Sequence, residues 1–464
     1  MRHIHDNCRT GRKPGVAGIL PALAVLLLLA GCDLDDTILG VQDPQTATAD
    51  DILDPENLPA VRAHAIGEFQ VGYSGSATGQ DNSYILMSGL LTDEYQASGS
   101  FPTREEVDQR RVRVDNATAQ TTFRLMHRGR AAAERAAGLF ELNDPGTRPH
   151  AEASVLAGLM HNAFGEMYCS GVPMSDLPIG EPEVFGEPRT TEEIFEGAVD
   201  WFTAGASIAA EAGATLEANA AAVGLGRALL NLNRYDEAAA AVADVPTGFV
   251  FQVIHSNATT RQWNGIWNFV NSVKRWRIAD QAGGNGLPYR TMGTEVDAAG
   301  NVIRAGDPRV VWFQDGFGFD QTSVQYSQRK YASNTANVPV ATGIEARLIE
   351  AEAALAAGNT GAFLQIHNDL RATEGLAPVG QDDLNGPDGA VDLHFQERAF
   401  WLWQTGHRLG DLRRLVRQYN RDAESVFPTG SYFKGGTYGT DVNFPVPVDE
   451  QNNPNFTACL NRDA

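Results

Sequence analysis

Ala220-Ala221-Ala222-Val223-Gly224-Leu225-Gly226-Arg227-Ala228-Leu229-Leu230-Asn231-Leu232 runs without a break into Asn233-Arg234-Tyr235-Asp236-Glu237-Ala238. Within it Ala221, Gly224, Ala228, Leu232, Tyr235 and Ala238 recur in steps of three and four, the period of one helix face. Small side chains on that face let two helices approach closely. Asn233-Arg234-Tyr235 supplies the turn between them. One such hairpin cannot bury a core by itself, so it must stack on neighbours of the same kind. The stretch therefore predicts a mainly α-helical scaffold built from helical hairpins.

The same pattern, that of a tetratricopeptide hairpin, returns at Ile344 to Arg371, broken at Gly358-Asn359. Upstream, helices are predicted over Leu58 to Phe69, Thr118 to Leu142, Ala151 to Tyr168 and Thr190 to Glu211. In the second of these Phe123, Met126, Ala133, Ala137 and Phe140 recur near one face. Thr190 and Glu193 stand three apart, as a capping box requires. Residues 247–340 change character: Gly, Asn, Asp and aromatics replace alanine, with turns at 283–286 and 299–301. Short strands are predicted at Val250 to Ile254 and Val310 to Phe313. Two further irregular zones cover 375–389 and Phe427 to the end. Long irregular segments on a rigid scaffold are where binding sites usually form.

The N-terminus has its own signal. Arg2, Arg9, Arg12 and Lys13 precede an apolar run from Ile19 to Ala30, which ends Leu29-Ala30-Gly31-Cys32. A basic head, a short apolar middle and small residues before the cut describe an export signal. The run is short of the roughly 20 apolar residues of a spanning helix, and no later stretch is longer. A cysteine after the cut resembles the lipobox of bacterial lipoproteins, and the resemblance implies that Cys32 is the lipidated first residue of the mature chain. Residues 33–55, with Asp33, Asp35, Asp36, Asp43, Asp50, Asp51 and Asp54, read as a tether. The chain carries 36 Lys+Arg against 58 Asp+Glu, a net charge of −22. Removing residues 1–31, with four basic residues and Asp6, leaves −25 on 433 residues. That balance repels nucleic acid and anionic surfaces. Cys8 lies in the signal, which leaves Cys169 and Cys459. An exported chain lives where disulfides persist, so these two are expected to pair and tie the tail to an early helix. Two separate buried thiols are the alternative. Neither has a second Cys or a His at ligand spacing, so no metal is expected.

Catalytic motifs are missing. Gly72-Tyr73-Ser74-Gly75-Ser76 fails the nucleophile elbow at its last position, and there is no His-Glu-x-x-His, Walker or Gly-x-Gly-x-x-Gly pattern. Asp383 to Gly389 fails the calcium-loop register at Pro387 and Asp388. His407, Arg408, Asp411, Arg413 and Arg414 could form a cluster on one helix, but ion pairs that fix the helix explain them better. Aromatics are the other constellation. Flat rings stack on the apolar faces of sugars, and rigid rings bind at small entropic cost. Trp263 and Trp267 are one helical turn apart and either share a ligand face or belong to the core; Trp401 and Trp403 are read as core. Tyr95 and Phe101 lie in a Gly/Ser-rich stretch, and Tyr432, Phe433 and Tyr438 stand among glycines, so these are expected to be exposed.

Several segments together resemble the SusD/RagB family of outer-membrane nutrient-binding lipoproteins. They are Leu91-Thr92-Asp93-Glu94, Gly171-Val172-Pro173-Met174, Asn285-Gly286-Leu287-Pro288-Tyr289 and Asp307-Pro308-Arg309. The most specific are Glu397-Arg398-Ala399-Phe400 leading into Gly406-His407-Arg408-Leu409-Gly410-Asp411-Leu412-Arg413-Arg414, then Phe444-Pro445-Val446-Pro447 and Asn453-Pro454-Asn455. The resemblance implies a SusD-like α-helical fold with a loop-rich half. Its divisions are a signal (1–31), a lipidated tether (32–55), an N-terminal part with hairpins (56–246), a ligand-binding insertion (247–340) and a C-terminal part (341–464). It implies a surface lipoprotein of the outer membrane that binds an oligosaccharide, or a peptide, and delivers it to a SusC-like TonB-dependent transporter. No catalytic residue and no cofactor are expected. The ligand face is expected to include Tyr95, Phe101, Trp263, Trp267 and Tyr432. A lipid-anchored glycoside hydrolase, with two carboxylates about 5–10 Å apart, and an outer-membrane assembly lipoprotein are the alternatives.

Overall fold

The computed structural model describes residues 49–464 apart from 79–81, 177, 180–181 and 387–388. The signal, Cys32 and most of the tether lie outside the described residues. Residues Ile52–Ala464 form one compact unit. Among the described residues no helix is long and apolar enough to cross a membrane.

The helices are α1 (Leu58–Ser74), α2 (Tyr84–Leu90), α3 (Pro102–Asp108), α4 (Ala117–Asn143), α5 (Arg148–Met167), α6 (Thr191–Glu211), α7 (Thr215–Asn231) and α8 (Tyr235–Val242). After the insertion come α9 (Gly343–Ala356), α10 (Thr360–Thr373), α11 (Gly389–Trp401) and α12 (His407–Arg417). From α4 to α10 each of these packs on the next in sequence, so α8 meets α9 across the insertion. The predicted hairpin stack is present, and its local punctuation is physical. Asn116 caps α4 by accepting from the Thr118 and Ala119 amides. Thr190 and Glu193 close the capping box on α6. Asn233, at φ 63°, turns α7 into α8, and Gly358, at φ 68°, separates α9 from α10.

The insertion is fastened at its base by strands. β4 (Val250–Val253) pairs antiparallel with β10 (Val338–Thr342), Val253 facing Val338. Both predicted strands exist; the second is the middle of β8 (Asp307–Phe317). β8 lies in a four-stranded sheet, in the order β7 (Val302–Arg304), β6 (Gly293–Val296), β8, β9 (Val324–Gln328). A pair of two-residue strands, β2 (Val172–Pro173) and β3 (Pro188–Arg189), frames the Gly-Val-Pro turn. β1 (Tyr95–Ala97) pairs with β5 (Trp276–Ile278), which sets the early loop against the insertion.

Cys169 and Cys459 form a disulfide, and the Leu460 amide donates to the Ser170 carbonyl beside it. The tail is thereby fixed to the end of α5, as expected. The C-terminal charged cluster is structural. Asp411 accepts from Arg398 Nε and Nη2 and from Arg414 Nη2 at 2.7–3.1 Å. Glu352 of α9 accepts from Arg414 and from the Tyr419 hydroxyl and pairs with His394. Burial raises the Glu352 carboxyl, but Arg414, His394 and Arg398 outweigh it and hold it below the ordinary carboxylate range. Trp403 is fully buried and Trp401 nearly so, which places both in the core.

Candidate ligand-binding cleft

Three segments far apart in sequence meet at a cleft of about 770 Å³, lined by Ser100, Glu105, Arg277, Asp320, Phe433 and Lys434 among others. The early loop reaches it from β1. Tyr95 faces Ile278 in the β1–β5 ladder and is fully buried. The chain then turns outward. Ser98 Oγ donates to Gln325 Oε1 at 2.8 Å, and Phe101 precedes Pro102 at the start of α3. Phe101 is left 44% exposed. The insertion arrives through 317–323, where the Phe319 amide donates to the Lys274 carbonyl and the Asp320 amide to the Ser98 carbonyl. Glycine is required at 318, because a Cβ there would lie 2.6 Å from Ser98 Cβ. Phe319 is 46% exposed.

The C-terminal loop closes the third side. Gly430, Gly435 and Gly436 all have positive φ, which lets the Tyr432 amide reach the Gly436 carbonyl. Tyr432 points inward, and its hydroxyl donates to Asp108 Oδ2 at 2.7 Å. Burial pushes the Asp108 carboxyl up to about 7 against the bonds from the Ala97 amide and Tyr432. Lys434 Nζ locks the three segments together through Gly99 O (2.8 Å), Glu105 Oε1 (2.8 Å) and Asp320 Oδ2 (2.9 Å). Burial raises the Asp320 carboxyl, yet Lys434 and Ser323 outweigh it and keep it below the usual range.

Arg277 lines the cleft, and two further guanidinium groups lie on aromatic rings near it. Arg275 Cζ lies 3.7 Å from the Phe319 ring centroid and 4.7 Å from that of Phe101. Arg277 Cζ is 4.0 Å from the Phe433 centroid. Arg104 Cζ lies 4.6 Å from both Phe101 and Trp276. Burial pulls Arg275 and Arg277 below their ordinary values and brings Arg104 down to about 9. All three remain cations at neutral pH.

The expected ligand face is only partly assembled here. Phe101 is exposed beside the cleft, next to the lining residue Ser100, but is not itself part of the lining. Tyr95 and Tyr432 are beneath it rather than on it, because strand pairing and the Asp108 bond turn their rings inward. Trp263 and Trp267 do not line it. Their centroids are 6.3 Å apart, edge to face, and Trp267 packs against the main core. Trp263 has extended backbone outside the helical turn that Asn264 caps, so the two rings meet edge to face without sharing one helix. Phe319 and Lys434 carried no sequence pattern of their own. Only the loop positions pointed near them.

A second cavity, of about 560 Å³, is lined in part by Phe249, Val311, Trp401, Lys330 and His407. Its polar groups already hold the helices together: Glu345 accepts from Arg227, Lys330 donates to the Trp403 carbonyl, and Arg309 is bound by Asp307 and Glu397.

These elements and their order define the SusD-like α-helical fold, and comparison with solved structures agrees. A SusD-like carbohydrate binding protein from Bacteroides fragilis NCTC 9343 superposes with a TM-score of 0.64 at 15% identity, over 88% of this chain and 99% of that one. A SusD superfamily protein from Parabacteroides distasonis ATCC 8503 gives 0.61 at 16% identity, over 87% and 98%. Surface glycan-binding protein A from Bacteroides uniformis gives 0.59 at 13% identity, over 88% and 99%. No family model and no curated protein matches the chain in sequence. At these identities the likeness is one of fold.

Proposed function

We propose that this protein is a lipoprotein of the outer cell surface, anchored through Cys32, that captures an oligosaccharide in the 770 Å³ cleft and passes it to a partner TonB-dependent transporter without catalysis. One observation carries the reading: exposed rings, Phe101 and Phe319, stand beside a polar cleft built by three loops on a rigid helical stack. Rings of that kind stack on sugar C–H faces, while the arginines, Ser100 and Glu105 meet hydroxyls. Two solved proteins that share the fold, from Bacteroides fragilis and Bacteroides uniformis, are described as carbohydrate- and glycan-binding. Calorimetry of the purified protein with an oligosaccharide panel tests the site. Phe101→Ala and Phe319→Ala are each expected to weaken binding about 10-fold, the equivalent of about 1.4 kcal/mol, with no release of reducing ends. Binding that neither substitution alters would displace the site. Cys32→Ala should move the protein from the membrane to the soluble fraction, and the native protein should co-purify with a large barrel from detergent extracts.

A further inference from the structure

We infer that the ligand of this cleft is an anionic oligosaccharide, one bearing uronate carboxylates or sulfate groups. The inference rests on the glycan-capture reading and adds the chemical class.

The argument is one of unmatched charge. The chain is strongly acidic, and most of its buried arginines elsewhere meet a carboxylate; Arg413, which donates only to the Gly165 carbonyl, is an exception. Arg227 meets Glu345, Arg309 meets Asp307 and Glu397, Arg398 meets Asp411, and Arg408 meets Asp93. Around the cleft the pattern reverses. Arg275 is half-buried between two phenylalanines, and among the described residues its guanidinium makes no hydrogen bond or ion pair; Nη1 is buried without a partner. Arg277 donates only to neutral acceptors, Gln96 Oε1 and the Val324 carbonyl. Arg104, 3% exposed, donates to Asn82 Oδ1, and its Nη1 has no hydrogen-bond partner among the described residues. The two carboxylates of the cleft, Glu105 and Asp320, are both held by Lys434.

A desolvated cation without a counter-charge is unfavourable, and a carboxylate or sulfate oxygen supplies that charge. The guanidinium is a planar fork suited to bidentate contact with such groups. The rings of Phe101 and Phe319 hold the Arg275 fork in place, so little freedom is lost on binding. A neutral sugar would take the hydrogen bonds and leave the charge unmatched. The acidity of the whole chain opposes approach of an anion from a distance, so the selectivity arises inside the cleft, at contact range.

Calorimetry with oligogalacturonate and with chondroitin sulfate oligosaccharides, against malto-, cello- and xylo-oligosaccharides of equal length, tests the inference. At least one anionic probe is expected to bind about 10-fold or more tighter than every neutral one. Raising salt from about 0.1 M to about 1 M, which shortens the screening length from about 10 Å to about 3 Å, should reduce that preference. Arg275→Met keeps the stem and the ring contacts, and should remove about 10-fold of the anionic affinity with an unchanged melting temperature. Arg275→Lys should fall between the two. Neutral probes that bind best and depend on Phe101 would overturn the charge assignment and leave the glycan reading standing. An acidic peptide bound in preference to every saccharide would overturn both, as would no saccharide binding of either kind. Arg275→Met that leaves oligogalacturonate and chondroitin sulfate binding unchanged would also overturn the assignment.

Discussion

Arg408 closes on Asp93 with two hydrogen bonds of 2.7 and 2.8 Å, joining positions 315 residues apart. The second Asp93 oxygen also accepts the Leu287 amide at 2.8 Å. One carboxylate therefore ties the C-terminal helix, the early Thr-Asp-Glu segment and the insertion to each other. Burial opposes the Arg408 charge, but Asp93 outweighs it and holds the guanidinium above its ordinary value. Asp93→Asn keeps the shape and removes the charge. It should lower stability by about 3–5 kcal/mol, because it leaves a buried arginine uncompensated. Urea denaturation measures this; a loss under about 1 kcal/mol would mean that packing alone holds the three segments.

The Cys169–Cys459 bond closes a loop of 290 residues. Loop closure on that scale constrains the unfolded chain strongly, and losing such a bond typically costs about 2–5 kcal/mol. Cys169→Ser with Cys459→Ser should lower the thermal midpoint and expose the tail after Phe444 to proteolysis. Because the hydrogen bond from the Cys169 amide to the Phe444 carbonyl remains, the body itself should stay folded. An unchanged midpoint in the double variant would assign the tail no part in stability.

The helical scaffold was legible because its information is local. Gly224, Ala228 and Tyr235 announce a close-packed hairpin within a dozen consecutive residues, and Thr190 with Glu193 marks a helix start three residues wide. The cleft was legible only as a set of loops. Tyr95 reads as a loop aromatic, and what buries it is a strand about 180 residues away, Trp276–Ile278. Tyr432 reads the same way, and Asp108 turns it inward from 324 positions distant. Nothing within a few residues of Phe319 records that Arg275 stacks on it and on Phe101. Helices follow from spacing along the chain; sites built by strand pairing and inserted loops follow from contacts that spacing does not encode.

Glu94 is fully buried, and one of its oxygens accepts the Gln404 amide while the other has no hydrogen-bond partner among the described residues. Burial, helped by Asp93 and opposed by Gln404, raises its carboxyl to about 7. Between pH of about 4.5 and 7 the folded chain keeps a proton that the unfolded chain has released. Stability from this group is thus present in acid and falls as pH rises, levelling off above about 7, with a total change of about 3 kcal/mol. Glu94→Gln mimics the protonated form at every pH. The variant should therefore gain on the native protein as pH rises from 5 to 8, by urea midpoints taken side by side. A constant difference across that range would show that Glu94 ionises as an ordinary carboxylate.

Phe202 of α6 is fully buried in a slot cut by two glycines. A Cβ on Gly224 of α7 would lie 2.3 Å from its ring, and one on Gly158 of α5 would lie 2.8 Å away. Both helices flanking α6 thus approach it because these two positions lack a side chain. Gly224→Ala sets two effects against each other. Alanine favours the helix by about 1 kcal/mol over glycine, while forcing a methyl group into a filled core costs about 1–3 kcal/mol or more. At 2.3 Å from a ring confined on its other side the steric effect should win, with a net loss of about 1–2 kcal/mol. Phe202→Leu in the same chain shortens the obstructing group and should recover part of that loss, even though the single change leaves a cavity. Thermal melts of the two single variants and the double variant measure the coupling. If the three losses simply add, Gly224 is not what admits Phe202, and the close approach of α6 and α7 has another cause.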